Sequence, residues 1–268
     1  MLGAIYGDVI GSYYEVHTTK NYNFDFHSES TFTDDSLLTT AVCRAILNNP
    51  ADISYFGLKK RAFEYAVQYR RYYSLFPNAG FGMMFSQWAK DSEIKVVHSY
   101  GNGASMRAVP IGYAYNTLEQ VMLQAKASCL YTHKNKEAIT GAQVVAGAVF
   151  MARNGASKKE IREFASKQFG FDLSVSLEQL RSNFKFDSRT SYSVPPAILA
   201  FIESTDYESA VRNAVSLGGD ADTMACISGG IAEVFYKHIP AKIRNFCDTR
   251  LDYSIRSTVR EFEEKYGV

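Results

Sequence analysis

Two short segments of the chain each combine a threonine with two aspartates directly before an apolar stretch. Thr33–Asp35 precedes the run that begins at Leu37, and Asp220–Thr223 precedes the run that begins at Met224. A hydroxyl or carboxylate at the start of a helix is an ordinary capping group, so each segment alone is better explained as a helix N-terminus. Two matched sets are harder to explain in this way, because a cap uses only one of the two carboxylates.

The chemistry that these oxygens favour is the binding of hard divalent cations. Magnesium and manganese prefer carboxylate, hydroxyl and water oxygens, and two ions about 3.5–4 Å apart need carboxylates from separate elements. Without a cation, the four converging aspartates Asp34, Asp35, Asp220 and Asp222 would repel one another and raise their pKa values. The two segments therefore predict a divalent-metal site.

Two further features could contact a ligand. Ser99–Gly103 is a glycine-rich turn before a predicted helix over Ala104–Gly112, so its backbone amides could face an anion. His133 lies just before another predicted helix, Glu137–Arg153. Taken alone, the turn is more simply structural, and a single histidine is more often a capping or surface residue.

Helical spacing of apolar residues indicates which elements position these groups. The clearest stripe runs from Leu37 to Ile46 and ends at the stop signal Asn48–Pro50. Strand-like alternation is nearly absent, so we expect one compact all-α domain over residues 1–268, with loops over Val16–Phe32 and Phe171–Ser193. Further helices are predicted over Asp52–Tyr73, Leu118–Leu130, Glu137–Arg153, Ser157–Phe169, Asp206–Leu217, Asp222–His238 and Ser254–Tyr266.

Composition excludes several classes of protein. The formal charge of +1 leaves no overall electrostatic footprint for nucleic acid or for an anionic membrane. The four cysteines are far apart in sequence, which disfavours a zinc ribbon or disulfide framework and favours reduced thiols in a cytoplasmic protein. The apolar start of the chain carries Asp8 and lacks a basic leader, so we interpret it as the first core helix. No long apolar run predicts a membrane span.

Five motifs follow one another along the chain, namely Gly7–Glu15, Thr33–Ser36, Tyr100–Gly103, Thr132–His133 and Gly218–Thr223. Taken in this order, they resemble the ADP-ribosylglycohydrolase family, which includes the dinitrogenase reductase-activating glycohydrolases and the ADP-ribosylserine hydrolases. The resemblance extends from Gly3 to about Tyr236. Two features depart from the family pattern. Many members have His-x-His-Pro where this chain has His133–Lys136. The loops on the acceptor side of the cleft are also shorter in this chain.

The resemblance implies an all-α fold whose central cleft holds two magnesium or manganese ions and ADP-ribose. It places Glu15 on a mobile loop beside the bond that is cleaved, and Ser191–Phe201 near the cleft. The implied metal ligands are Thr33, Asp34, Asp35, Asp220, Asp222 and Thr223. The stretches implied to hold the diphosphate and adenosine contain Ser99, Tyr100, Gly101, Asn102, Gly103 and His133.

The predicted reaction is hydrolysis of the glycosidic bond between ADP-ribose and a modified acceptor, through an oxocarbenium-like state. Asp34 or Glu15 would take a proton from water or assist the leaving group, and the sequence does not assign these two roles. The expected partner is an ADP-ribosylated protein or other acceptor of unspecified linkage, and the expected assembly is a monomer. One alternative is a catalytically weak ADP-ribose or nucleotide binding module, and another is a metal-dependent phosphoester hydrolase.

Overall fold

The computed structural model describes residues 1–50, 54–170 and 173–267. These residues form fifteen α-helices and one short 3-10 helix, Tyr55–Gly57, with two isolated β-bridges and no strand among them. The first eight helices are α1 (Leu2–Val16), α2 (Asp34–Asn48), α3 (Leu58–Leu75), α4 (Met83–Lys90), α5 (Gly103–Met106), α6 (Val109–Ala114), α7 (Leu118–Cys129) and α8 (Lys136–Arg153). The others are α9 (Lys158–Phe169), α10 (Leu177–Arg181), α11 (Thr190–Ile202), α12 (Tyr207–Val215), α13 (Ala221–Tyr236), α14 (Ala241–Asp248) and α15 (Tyr253–Tyr266).

The predicted all-α class is confirmed, and most predicted helices match an observed one within a few residues. The helix expected over Ala104–Gly112 is wrong, because Arg107 and Ala108 separate α5 from α6. Pro110 lies in the first turn of α6, where its missing N–H is harmless. In one continuous helix Pro110 would have to donate to the carbonyl of Met106, which a proline cannot do.

Two other predictions need adjustment. The helix expected over Asp52–Tyr73 begins only at Leu58, and residues 51–53 lie outside the described part of the chain. The loop expected over Phe171–Ser193 contains α10 and the start of α11, and residues 171–172 are likewise not described. Short helices such as α10 offer too few turns for apolar spacing to distinguish them from a loop.

Helices α1 and α13 pack together unusually closely through small residues. Gly3, Gly7 and Gly11 recur every fourth position on α1, so they lie on one face of the helix. A Cβ atom at Gly7 would lie 2.1 Å from the carbonyl oxygen of Ala225, and one at Gly11 would lie 2.5 Å from that of Ala221. This close approach brings the end of α1 beside the start of α13.

We expect Gly7→Ala to destabilise the protein by about 1–3 kcal/mol or more, because the added methyl group must push the two helix backbones apart. Thermal or denaturant unfolding measures the change in the free energy of unfolding. Gly82→Ala is the matched control, since a Cβ there meets nothing within 4 Å. Equal stability of the two variants would show that the contact between α1 and α13 is not tight.

The described cysteines, Cys43, Cys129, Cys226 and Cys247, are buried and unpaired, as expected. The first core helix is also present, because α1 is buried over most of its length. Among the described helices, none combines the length and the apolarity needed to cross a membrane.

Candidate active site

Six acidic side chains from three helices converge at one end of the contact between α1 and α13. Asp8 and Glu15 are two turns apart on α1, Asp34 and Asp35 begin α2, and Asp220 and Asp222 begin α13. Ligand atoms of Asp8, Asp35 and Asp222 lie within 4.8 Å of one another, as do those of Glu15, Asp220 and Asp222. Asp222 is common to both groups, so the two potential metal sites are adjacent.

Asp8 connects α1 to the start of α2. Its carboxylate accepts hydrogen bonds from the Thr33 amide (3.0 Å), the Thr33 hydroxyl (2.7 Å) and the Ser36 amide (3.0 Å), and also from the Ser36 hydroxyl. The side chain is fully buried. Asp8 therefore holds the threonine-aspartate segment in place. Asp8 was not among the predicted site residues, although an aspartate inside an otherwise apolar helix was a usable signal.

Capping accounts for Thr33 but not for the carboxylates. Thr33 is the N-cap of α2, and its hydroxyl oxygen accepts from the Asp35 amide at 3.3 Å. Asp220 is the N-cap residue of α13, yet its side chain makes no capping hydrogen bond. Helix capping therefore explains the Thr33 side chain at the start of α2. It does not explain the Asp220 side chain at the start of α13, which is available for another role.

The buried oxygens fit a hard divalent cation. Asp35 is 2% exposed, and its Oδ1 atom has no hydrogen-bond partner among the described residues. Its Oδ2 accepts from the Thr223 hydroxyl at 3.2 Å. A buried carboxylate oxygen without a partner is costly, and a cation would offset that cost. Because the available donors are carboxylate and hydroxyl oxygens, they suit magnesium or manganese better than a softer metal.

The electrostatics of the six carboxylates agree with this fit. Burial raises the pKa of Asp35 well above its usual range, and the charges of Asp8 and Asp34 raise it further. Burial and the charge of Asp35 do the same to the pKa of Asp222. In the described part of the chain, no lysine or arginine forms an ion pair with any of the six. The cluster is therefore a group of crowded acidic side chains that no lysine or arginine of the described residues neutralises.

Asn102 joins the glycine turn to the carboxylates. Its side-chain amide donates to Asp220 at 2.9 Å and to the Ser193 hydroxyl at 3.0 Å. The backbone amide of Asn102 donates to the Ser188 carbonyl, and that of Gly101 donates to the Ser99 hydroxyl. These two backbone amides already have partners within the protein, so they are not free to bind an anion as the sequence suggested. The side chain of Asn102 orients Asp220.

A cavity of about 310 Å³ brings most of the predicted residues together. Its apolar lining includes Met83, Trp88 and Phe186, none of which was among the predicted site residues. The lining residues among those predicted for the site are Glu15, Asp34, Asp35, Ser99, Gly101, Asn102, Gly103, His133, Asp220, Asp222 and Thr223.

Three predicted residues occupy positions that differ from the expectation. Thr33 does not line the cavity, since its hydroxyl donates to Asp8. Tyr100 is 54% exposed and also lies outside the lining, although its carbonyl accepts from Thr190. Glu15 belongs to the last turn of α1, where the resemblance implied a loop, because α1 continues to Val16.

The glycine turn and the His133 segment are both tied to neighbouring chain. A β-bridge joins His98 to His133, and a second one joins Gly101 to Arg189. His133 is 6% exposed, and burial followed by the charge of Arg107 holds its pKa well below the usual range. The imidazole at the cavity is therefore neutral near pH 7.

The helical fold and this arrangement of carboxylates can be compared with known proteins. The sequence profile of the ADP-ribosylglycohydrolase family matches residues 1–266. The chain belongs to this family. It is therefore a glycohydrolase, as the sequence motifs predicted.

The relatives of this glycohydrolase include ADP-ribosylhydrolase ARH3 of Mus musculus, which is 26% identical over 98% of this chain and 91% of that protein. ARH3 of Homo sapiens is 24% identical over 92% of this chain and 88% of that protein. A solved ADP-ribosylglycohydrolase-related protein complex superposes with a TM-score of 0.73 at 21% identity, covering 100% of this chain and 96% of the other. That structural likeness independently shows the fold.

Proposed function

We propose that this glycohydrolase uses two divalent metal ions to cleave the glycosidic bond between ADP-ribose and a modified acceptor, thereby reversing ADP-ribosylation. The observation that carries the proposal is the convergence of six acidic side chains, five of which form two overlapping groups that share Asp222. No lysine or arginine among the described residues pairs with them. The names of the ARH3 relatives support ADP-ribose as the substrate moiety.

The metal ligands in this proposal are the two threonine-aspartate segments. When bound, magnesium or manganese would neutralise the carboxylates, orient the ribose hydroxyls and polarise a water molecule. Asp8 and Asn102 keep these segments in place through their hydrogen bonds to Thr33 and Asp220. The proposed ligands are Thr33, Asp34, Asp35, Asp220, Asp222 and Thr223.

Glu15 and Asp34 are the proposed proton-transferring groups. Burial and the charge of Asp220 raise the pKa of Glu15. Asp34 is also a proposed metal ligand, so with a metal bound it would be ionised and would serve as the group that takes a proton from water. A raised pKa allows a carboxyl group to hold a proton that it can pass to a departing acceptor, or to take one from water. Both side chains line the cavity in which the substrate would bind.

The rest of the cavity would hold the ADP portion. Ser99, Gly101, Gly103 and His133 supply polar groups and space along one wall. Apolar side chains such as Phe186 supply a surface on which a nucleoside base can pack. Tyr100 would have to reorient before its side chain could contribute.

The assay that tests this proposal measures release of ADP-ribose from arginine-linked, serine-linked and nucleic-acid-linked substrates, with magnesium or with a chelator. Mass spectrometry identifies the product. Metal-dependent release of intact ADP-ribose from one substrate would support the reaction and identify the acceptor linkage.

Two other outcomes would replace the proposal. Tight binding of ADP-ribose without release from any substrate would indicate a binding module of the same fold. Release of phosphate or of a nucleotide monophosphate would indicate a phosphoester hydrolase that uses the same carboxylates.

A further inference from the structure

The two ring nitrogens of His133 face different surroundings. Nδ1 lies 2.9 Å from the hydroxyl oxygen of Thr132. Nε2 faces the glycine turn, because a Cβ atom built on Gly103 would lie 3.3 Å from it and one on Gly101 would lie 3.9 Å away. His133 and both glycines line the cavity, so Nε2 is the nitrogen beside the ligand space.

Arg107 determines what the Thr132 hydroxyl can do. Its Nη2 donates to the Thr132 hydroxyl at 2.6 Å and to the Ser128 carbonyl at 3.1 Å. The guanidinium is fully buried, and its central carbon lies 4.0 Å from the centre of the Tyr69 ring. Because a guanidinium group has no acceptor, the Thr132 oxygen must accept this hydrogen bond.

The position of the Thr132 hydroxyl proton then follows. Within the described residues, this hydroxyl has only Arg107 and His133 Nδ1 as hydrogen-bond partners. If Nδ1 carried the ring proton, both partners would donate to Thr132, and its own proton would have no acceptor among the described residues. The hydroxyl therefore donates to Nδ1, and the ring proton resides on Nε2.

The charge of Arg107 contributes in a second way. Nε and Nη1 of Arg107 have no hydrogen-bond partner among the described residues, so no carboxylate there neutralises the guanidinium. Together with burial, this positive charge lowers the pKa of His133 and disfavours a second ring proton. Donation from Arg107 also polarises the Thr132 hydroxyl, which makes the Nε2–H group a stronger donor.

We propose that Arg107 and Thr132 are positioning residues that hold His133 as its neutral Nε2–H tautomer, so that this N–H donates to a ligand oxygen in the cavity. The identity of that ligand rests on the proposed function, under which it is the diphosphate of ADP-ribose. Arg107 and Thr132 also line the cavity, and in this proposal they act on the ligand through His133.

Nitrogen-15 NMR of the histidine rings tests the proposal directly in the wild-type protein. The His133 signals are assigned among the five histidines by comparison with His133→Gln. We expect an unprotonated Nδ1 and a protonated Nε2, with and without ADP-ribose. A wild-type ring protonated at Nδ1 would overturn the proposal, whether or not the enzyme hydrolyses its substrate.

Substitution of Thr132 separates a positioning role from a merely structural one. Thr132→Val should shift the tautomer toward Nδ1–H and weaken ADP-ribose binding about tenfold, whereas Thr132→Ser should keep both wild-type properties. Thr258→Val is the matched control, because Thr258 is also buried and accepts from an arginine, Arg44, at 2.9 Å. An unchanged tautomer in Thr132→Val would contradict the proposal.

The NMR and binding results also distinguish this inference from the proposed function. A protonated Nε2 in a protein that does not bind ADP-ribose would leave the tautomer assignment standing and remove the proposed ligand. Normal ADP-ribose hydrolysis by a protein whose Nδ1 is protonated would support the proposed function and overturn the tautomer assignment.

Discussion

Asp35→Asn and Asp222→Asn should each abolish most metal-dependent turnover, by at least about 100-fold. Both side chains are buried, and Asp222 belongs to both carboxylate groups. The metal-free variants should be at least as stable as the wild type, because each substitution removes a charge that raises the pKa of its neighbours. Magnesium should stabilise the wild type against unfolding and stabilise the variants much less.

The measurements are thermal unfolding with and without magnesium, metal titration by calorimetry, and ADP-ribose release. Asp25→Asn is the matched control, since Asp25 is exposed and lies outside the cavity. Full activity with normal metal affinity in either site variant would show that the substituted residue is not a metal ligand. A variant that is unfolded by circular dichroism would instead identify a structural role.

Glu15→Gln should separate binding from chemistry. We expect turnover to fall about 10²- to 10⁴-fold, because glutamine keeps the size of the side chain but cannot transfer a proton. Binding of ADP-ribose should be largely kept, since the substitution leaves the fold and the other cavity residues in place. Single-turnover kinetics and direct ADP-ribose titration measure the two effects separately.

Glu29→Gln provides the control for the same chemical change at an exposed glutamate outside the cavity. Two results would be incompatible with the assigned role of Glu15. One is a large loss of ADP-ribose affinity with unchanged turnover per bound complex, and the other is wild-type turnover. Either would leave Asp34 as the better candidate for proton transfer.

Much of the architecture could be predicted because it depends on local patterns. Apolar spacing along helices such as Lys136–Arg153 is a property of neighbouring residues, and capping signals such as Ser157 lie next to the turns that they stabilise. The two threonine-aspartate segments were recognisable because each is short and contiguous. Their assignment as metal ligands stays a prediction, supported by the buried, unpaired oxygen of Asp35.

The partners of individual polar groups depended on tertiary structure. Asp8 bonds to Thr33 across 25 positions, and Asn102 bonds to Asp220 across 118 positions, so no local pattern pairs them. The close contact between α1 and α13 brings the carboxylates of both helices together. Such contacts arise only when helices distant in sequence pack against each other. Local spacing therefore indicated which groups could do chemistry, while packing decided which of them meet in the cavity and which, like Asp8, hold the others in place.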